Sequence, residues 1–374
     1  RSALDGMTSF GRRYFGWSSK PALSSIAQAR RKLKSRMCRD LLSTLSGEIS
    51  RLRPDACRFP GRRLIAFDGT RLITRHSTDT TAKLVRYSRP NGELVHNPQA
   101  LMVMALDVDR RLPLGWALAK KGTGETAALN DLLDQLGIGV GDVAILDRGY
   151  TSKALYAALV ARGADVVIRM KTAERNCWTE VREFIKSGKK NADITIDLRK
   201  TQGGPGSLMG RLVERNLKPG PAKSGTKKER MVILTTLRED DGFDRQAVIS
   251  IYTARWGIES LFGELISFMN VEPFHGTTVE MCEQEIAAAL IWMALGSYMQ
   301  AVAEHDNDGR SVYRTDCLRY AADVLRLILE GRDYTNRMDD AIDSLQRYSS
   351  YRPRPGRSAP RECKMPYGRS IQRG

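Results

Sequence analysis

Short apolar runs and amphipathic stretches alternate along residues 62–170. The apolar runs are bounded by polar turns, which is typical of β-strands, and they predict strands at 63–67, 100–108, 113–119, 142–147 and 164–170. The fourth run, DVAILD, is continuously apolar, as expected for a strand that is buried on both faces. Amphipathic stretches at 126–136 and 152–163 predict helices between these strands. The alternation predicts an α/β domain built around a mixed sheet that is flanked by helices.

The pattern changes twice in the second half of the chain. Lys-rich and Gly/Pro-rich stretches separate short β-like runs such as DITIDL and MVILTTL, which predicts a β-rich insertion over 171–243. A long helical segment is predicted from Asp244 to Asn270, and two further helices are predicted near 279–304 and 313–331.

A basic excess is spread along the chain. Its 374 residues include 60 Lys and Arg against 43 Asp and Glu, a formal charge of +17. Such an excess favours a polyanionic partner, above all nucleic acid, because basic side chains release condensed counterions on binding. A membrane surface fits less well, since no amphipathic Lys-rich helix stands out. The most apolar stretch, Ile286 to Val302, is interrupted by Gly, Ser and Gln and is shorter than the ~20 residues of a membrane span. We expect that stretch to be a buried core helix; a role in solubility is the alternative reading of the charge.

The basic residues include a run in an N-terminal helical region predicted at 21–47. Arg30, Arg31, Lys32 and Lys34 lie opposite the apolar residues of this region. The pattern is equally typical of a helix that contacts DNA and of an amphipathic helix with a solvated basic face.

Cysteine and histidine give no sign of a metal or redox centre. The six Cys are scattered without CxxC spacing, which argues against a zinc site or a disulfide framework and favours a reducing cytoplasm. His96 and His275 are isolated, so we expect structural roles for them. The sequence has no GxSxG elbow and no P-loop, which argues against Ser-His-Asp hydrolase chemistry and against a need for ATP. The first residue is Arg rather than Met, so we expect further residues ahead of it.

Carboxylates occupy the ends of two predicted strands. Asp68 follows RLIAF and directly precedes Gly69, and Asp147 follows VAIL. Active sites gather at strand ends in open α/β sheets, and two such carboxylates can converge on Mg²⁺, which prefers oxygen ligands. An Asp at this position is also a common turn former, which is the role we expect for Asp107 and Asp109.

A third carboxylate is predicted in the helical stretch YTARWGIESLFGEL. Tyr252, Arg255 and Glu259 fall at i, i+3 and i+7 and so share one helical face, whereas Glu264 lies off that face. Arg255 and Glu259 alone would also fit a surface ion pair worth ~0.3–0.5 kcal/mol. The order of two strand-end Asp residues, a β-rich insertion and a helical Tyr-Arg-Glu set is more specific than its parts. It predicts that the three carboxylates converge to within a metal-bridging distance.

Three motifs, FDGT (67–70), ILDRGY (145–150) and YTARWGIESLFGELISF (252–268), are followed by EPFHGTTVEMCEQEI (272–286). Together with the N-terminal ALSSIAQARRKL, they resemble the bacterial insertion-sequence transposases of the group related to the fourth-numbered insertion sequence. The catalytic core of that group has the ribonuclease-H-like fold. The resemblance covers about residues 20–305, and the third motif is its most specific part.

The resemblance implies a DDE triad of Asp68, Asp147 and Glu259 as catalytic and metal-binding residues. It implies two Mg²⁺ or Mn²⁺ ions that promote in-line attack on DNA phosphodiesters. Tyr252 and Arg255 are then expected to hold DNA phosphates. The implied partners are the terminal inverted repeats of the element, target DNA and a second copy of the chain in a DNA-bound homodimer. The implied setting is the bacterial cytoplasm, in association with the nucleoid.

One position departs from the family motif, which has a Lys seven residues after the Glu where this chain has Ile266. A transposase-derived DNA-binding protein, or a nuclease without strand transfer, is therefore the alternative to an active transposase. Trp178, near the start of the insertion, would fit stacking on a flipped base as well as packing within the protein.

The organisation expected from these patterns has five parts. They are an N-terminal helical DNA-binding region (1–60), two parts of the catalytic core (61–170 and 244–345), the β-rich insertion (171–243) and a basic tail (346–374). The tail is rich in Arg and Pro, which is typical of an extended basic arm or of a disordered segment.

Overall fold

The computed structural model describes residues 12, 22–53, 56–87, 92–199, 206–216, 230–272, 274–305, 307–308 and 310–351. The strands in these ranges are β1 (Arg63–Ile73), β2 (Gln99–Asp107), β3 (Leu112–Leu118), β4 (Asp142–Leu146), β5 (Asp165–Arg169), β6 (Asn191–Asp197), β7 (Ser207–Asn216), β8 (Arg230–Thr235), β9 (Ser311–Val312) and β10 (Ser350–Tyr351). The helices are α1 (Leu23–Lys32), α2 (Ser35–Leu52), α3 (Thr78–Lys83), α4 (Glu125–Leu136), α5 (Lys153–Ala161), α6 (Thr179–Ser187), α7 (Arg245–Ala254), α8 (Trp256–Gly263), α9 (Val279–Glu304), α10 (Arg314–Leu329) and α11 (Thr335–Tyr348). Most of the predicted basic tail lies outside the described residues.

One mixed sheet organises the protein. Its eight strands follow the order β3-β2-β1-β4-β5-β8-β7-β6. β1, β4 and β5 run parallel, whereas β2 and β3 continue the sheet antiparallel on the other side of β1. β4 is buried along its whole length, as its apolar run predicts for a strand that is covered on both faces. The order and directions of β1 to β5 are those of the ribonuclease-H-like core, so the predicted fold class is confirmed.

Helices cover both faces of this sheet. On β3, Gly115 lies against Leu136 of α4, while the next residue, Trp116, packs towards Arg39 of α2. Because successive residues of a strand point to opposite faces, α4 and α2 lie on opposite sides of the sheet. α9 packs against α2, β3 and α10. By length and composition α9 could cross a membrane, but 56% of its most apolar window is buried inside the protein, as predicted for a core helix.

The strands of the predicted insertion extend the core sheet. β8 pairs antiparallel with β5, and β7 and β6 follow in antiparallel order. The insertion also contains α6, which the sequence reading did not predict. Val181 and Phe184 of α6 are buried at helical spacing, so an amphipathic signal was present between the Lys-rich stretches. The proposed division into five parts stays a prediction.

Two helical glycines with different surroundings allow a matched test of core packing. A Cβ on Gly296 of α9 would lie 2.6 Å from a side-chain carbon of Leu318, whereas a Cβ on Gly47 of α2 would meet nothing within 4 Å. Gly296→Ala is therefore expected to lower the free energy of unfolding by about 1–3 kcal/mol through overpacking. Gly47→Ala should raise it by roughly 0.5–1 kcal/mol, because Ala loses less backbone entropy in a helix. Urea unfolding of both variants checks this, and equal stabilities would contradict the close contact of α9 and α10.

Candidate active site

The two aspartates predicted at strand ends lie close to the point where β4 ends. Asp147 directly follows β4, as predicted, but Asp68 lies inside β1, which continues to Ile73 because it goes on pairing with β2. β1 and β4 are parallel neighbours whose register includes the pair Ala66 and Ile145. Asp68 lies two residues beyond this pair on β1, and Asp147 lies two residues beyond it at the end of β4. The two carboxylates are close enough for the charge of Asp147 to act on Asp68. The parallel pairing of β1 with β4 therefore brings these two residues to the same end of the sheet, and their convergence to a metal-bridging distance stays a prediction.

Asp147 shapes the turn that follows β4. Its Oδ1 accepts a hydrogen bond of 2.7 Å from the amide of Gly149 and caps the single 3₁₀ turn Arg148–Tyr150. A Cβ on Gly149 would lie 2.8 Å from the same oxygen, so glycine lets the backbone approach the carboxylate. The Asp-Arg-Gly-Tyr sequence thereby fixes where this carboxylate sits.

Asp68 is bonded on both oxygens. Its Oδ1 accepts from the amide of Gly69 at 2.9 Å, and its Oδ2 accepts from Nη1 of Arg255 at 2.7 Å. Burial raises the pKa of Asp68 to about 6, although Arg255 and the Gly69 amide act in the opposite direction. The nearby charge of Asp147 adds to the increase. This carboxyl group is thus held in a partly desolvated place beside a second acid.

Arg255 joins the first and third carboxylates of the predicted triad. It lies between α7 and α8, it is 7% exposed, and its Nη2 donates to Oε1 of Glu259 at 2.6 Å. Burial disfavours its charge, but Tyr252, Asp68 and Glu259 raise the pKa of the guanidinium above its ordinary value. The Arg255 Nε is buried without a partner, and the guanidinium carbon lies 5.9 Å from the ring centroid of Tyr252. One guanidinium therefore connects carboxylates from β1 and α8.

Two groups beside Asp147 were not singled out by the sequence reading. Glu125 is the first residue of α4. Burial raises the pKa of its carboxyl group, the Tyr150 hydroxyl lowers this pKa, and the charge of Asp147 raises it further. Tyr150 is 1% exposed, and its hydroxyl makes no hydrogen bond of acceptable geometry. Burial, and then the charges of Glu125, Asp68 and Asp147, raise the pKa of Tyr150. The motif ILDRGY contained Tyr150, but Glu125 belongs to a separate helix and had no motif to mark it.

The carboxylate oxygens of the predicted triad are ligands that suit a hard divalent cation, but the three side chains do not converge on one metal-binding point. Among the residues that the structure describes, no three His, Cys, Asp or Glu side chains stand placed to hold a metal ion. The Glu259 carboxylate instead accepts a hydrogen bond from Arg255. Asp68 and Asp147 nevertheless present carboxylate oxygens at one edge, beside the unpartnered hydroxyl of Tyr150. Oxygen donors of this kind are the ligands that Mg²⁺ prefers.

The sequence of this region matches a known family. The model of the transposase DDE domain matches residues 59–295, which include β1, β4, α8 and all three triad positions. The chain belongs to the DDE transposase family.

Comparison with solved structures finds a distant likeness. This chain aligns with the cryo-EM structure of the piggyBac transposase synaptic complex with hairpin DNA, with a TM-score of 0.43 and 13% sequence identity. The alignment covers 79% of this chain and 58% of that one, so the present chain spans little more than half the length of the matched protein. The search among curated proteins found no match.

A groove adjoins Asp147 in the DDE domain. It has a volume of ≈ 570 Å³ and runs between the turn after β4 and the residues after β5. Arg148, Arg169 and Lys171 contribute its basic side chains. A groove that joins a strand-end carboxylate to three cations suits a polyanionic strand.

The N-terminal basic residues divide into two groups. Arg30 donates to Gln284 and to the carbonyl of Met281, and it pairs with Glu285 at 2.5 Å, so it fastens α1 to α9. Arg31, Lys32 and Lys34 are exposed. The DNA-binding role of all four stays a prediction. It fits the three exposed residues better than Arg30, whose side chain is already bonded to α9.

The other acidic residues named from the sequence have structural partners. Asp107 pairs with Arg110 at 2.9 Å and accepts from its amide, which is the turn role expected for it. Asp109 pairs with Arg58 at 3.1 Å. Glu264 opens a π-helical turn, Glu264–Phe268, and its carboxylate points to arginines outside the triad. These contacts keep all three outside the site.

Ile266, Trp178 and the histidines also have structural contacts. Ile266 is half-buried in the π-helical turn and packs against the main core. Trp178 packs against the same core, and the Nζ of Lys153 lies 5.2 Å from its ring centroid, which favours packing over base stacking. His96 stacks on His76 with ring centroids 4.8 Å apart, and His275 lies 3.6 Å from Glu285.

Proposed function

We propose that the protein cleaves and joins DNA at the ends of its own mobile element by two-metal phosphoryl transfer. Asp68, Asp147 and Glu259 would act as the catalytic and metal-binding residues. One observation supports this most strongly: Asp68 and Asp147 share a sheet edge, and Arg255 ties Glu259 to that edge from α8. The family assignment supports the same chemistry at the level of a DDE transposase.

Two Mg²⁺ or Mn²⁺ ions would be held by Asp68, Asp147 and Glu259. When bound, such ions activate the attacking oxygen and neutralise charge on the phosphate. The protein's own contribution is to hold the carboxylates at fixed strand and helix positions and to shield Asp68 partly from water. Arg255 can exchange its carboxylate partners for phosphate oxygens, because its planar fork binds both groups bidentately. Tyr252 is buried with its ring centroid 5.9 Å from the guanidinium carbon, so it would act on DNA phosphates through Arg255.

The DNA would run past the basic groove beside Asp147. Arg148, Arg169 and Lys171 would contact the backbone near the scissile phosphate, and Arg31, Lys32 and Lys34 would contact it further along. Arg30 would position α1 on α9. Phosphate contacts of this kind carry the salt-dependent part of the affinity. We expect a homodimer to hold paired ends, in the cytoplasm of a bacterium and on its nucleoid, as in the group related to the fourth-numbered insertion sequence.

A second candidate is a transposase-derived DNA-binding protein or a nuclease without strand transfer. Ile266 favours it, because an apolar side chain that packs on the core stands where the family motif has a Lys. The lost phosphate contact would weaken the binding of DNA ends.

The decisive experiment incubates the chain with DNA that carries the inverted repeats of its element, in Mg²⁺ or Mn²⁺. We expect nicks at the repeat ends that leave 3′-hydroxyl groups, followed by joining to a second DNA. Matched substrates with scrambled ends should stay intact, and EDTA should abolish the reaction. Binding without cleavage would favour the DNA-binding protein, and cleavage that ignores the ends would favour the nuclease.

A further inference from the structure

Glu125 reaches the strand that carries Asp68. It is the first residue of α4, and a Cβ built on Gly69 would lie 1.7 Å from its Oε1. The carboxylate therefore occupies the space that any side chain at position 69 would need. Gly69 directly follows Asp68, so this contact brings a carboxylate from α4 to the strand segment that holds the first acid of the triad.

Tyr150 links this carboxylate to the rest of the site. Its ring is buried, and its hydroxyl lies beside Glu125 without a hydrogen bond of acceptable geometry. The charges of Glu125, Asp68 and Asp147 all act on this hydroxyl. Buried hydroxyl groups almost always have a partner, and Glu125 is the acid within reach of this one, so a small movement of the Glu125 carboxylate would complete the hydrogen bond.

Helix capping alone does not explain why Glu125 is partly buried and contacts β1. An acid in the first turn of a helix is favourable through the helix dipole, but that effect needs no burial and no contact with a neighbouring strand. Glu125 is half-buried and lies against Gly69. Glu259, by contrast, is bonded to Arg255. Glu125 thus combines partial burial, contact with Gly69 and exposure to the charge of Asp147, none of which helix capping requires.

We propose that Glu125 is a fourth carboxylate of the active site, which binds the same divalent cation as Asp147, with the Tyr150 hydroxyl as its positioning group. This inference rests on the proposed function, because it assigns a residue to the metal site assumed there. In the bound state the Tyr150 hydroxyl would donate to Glu125 and hold one of its oxygens towards Asp147.

The test is titration of the whole chain with Mn²⁺ in a calorimeter, without DNA, so that the readout is metal affinity rather than activity. Glu125→Gln is expected to weaken Mn²⁺ binding by at least about 10–100-fold, since the loss of an outer-shell partner alone has an effect of that size. Gly69→Ala should act in the same direction, because its methyl group must displace the Glu125 carboxylate. Asp131→Asn is the matched control, since it removes an exposed acid from the same helix and should leave the affinity unchanged.

Tyr150→Phe separates positioning from packing. Removing an unpartnered buried hydroxyl should raise the unfolding temperature of the metal-free chain, and it should still weaken Mn²⁺ binding. A purely structural tyrosine would not change the metal affinity.

The outcomes distinguish this inference from the proposed function. If Glu125→Gln and Gly69→Ala bind Mn²⁺ as the wild type does while Asp147→Asn binds weakly, Glu125 has no place in the site and the inference is overturned. A loss of stability in Glu125→Gln with unchanged Mn²⁺ affinity also overturns it and leaves only a helix-capping role. If Asp68→Asn and Asp147→Asn both bind as the wild type does, or the wild type does not bind, the carboxylate site of the proposed function fails as well.

Discussion

Asp68→Asn and Asp147→Asn are each expected to lower the rate of DNA cleavage by about 10³-fold or more. The reason is that metal ions contribute several kcal/mol to such reactions and each tenfold change in rate corresponds to ~1.4 kcal/mol. Asn keeps the size of Asp but removes the charge that a divalent cation requires. Glu259→Gln should act in the same direction. Initial rates on DNA with the element's own ends, at saturating Mg²⁺ or Mn²⁺, provide the measurement.

The control for these variants is Asp131→Asn on α4, whose side chain is about half exposed and 3.9 Å from Lys120. It should cleave at the wild-type rate. The affinity for DNA should change little in any of the variants, because basic groups supply most of it. Cleavage at the wild-type rate by Asp147→Asn would exclude this site as the catalytic centre.

Glu264→Ala is expected to destabilise the protein by about 3–5 kcal/mol, the typical cost of leaving one partner of a buried ion pair alone. Glu264 accepts from Arg111 at 3.0 Å and from Arg314 at 3.2 Å. The Arg314 side chain is only 7% exposed, and burial lowers the pKa of its guanidinium. Its remaining partners, the Ser297 hydroxyl and the Met293 carbonyl, are neutral, so they cannot replace the lost charge. The free energy of unfolding from urea titration measures the effect.

Two companion variants make this prediction specific. The double variant Glu264→Leu, Arg314→Met removes both charges and should recover most of the stability, because an apolar pair of similar volume often replaces a buried ion pair without loss. Asp343→Ala breaks an ion pair with Arg347 in which both side chains are more than half exposed, and it should cost less than about 1 kcal/mol. Equal losses in Glu264→Ala and Asp343→Ala would contradict the role assigned to the buried pair.

The sequence predicted the parts of the site that depend on local pattern. The apolar runs before Asp68 and Asp147 identify strands because a strand in the middle of a sheet must be apolar on both faces. The end of β4 before Asp147 was therefore visible without a structure, whereas β1 continues past Asp68 to Ile73. Helical spacing likewise placed Tyr252, Arg255 and Glu259 on one face. The long helix predicted over 244–270 is interrupted at Arg255 and becomes π-helical from Glu264.

Contacts between distant parts of the chain could not be predicted in this way. Arg255 and Asp68 are 187 residues apart, and nothing in either local pattern indicates that this guanidinium, which was predicted to hold DNA phosphates, would bond to Asp68 and Glu259. Glu125 reads locally as an ordinary acid at a helix start. Only the packing of α4 against the sheet brings it to Gly69. The sequence of α6, in contrast, has a helical pattern of apolar residues, but the Lys- and Gly-rich stretches around it favoured the prediction of a β-rich insertion without a helix.

The long helix α9 limits how far the chain can be truncated at its C-terminal side. The family match ends at residue 295, inside α9, while Met299 and Ala303 further along the helix are buried against α10 and α11. At the other end the match begins after α2, whose Leu42 and Ile49 belong to the main core and whose Ser46 donates to the Pro113 carbonyl. A fragment trimmed to the matched region would expose apolar side chains on both sides. The hydrophobic core thus extends beyond the matched region on both sides, into helices that carry none of the three carboxylates.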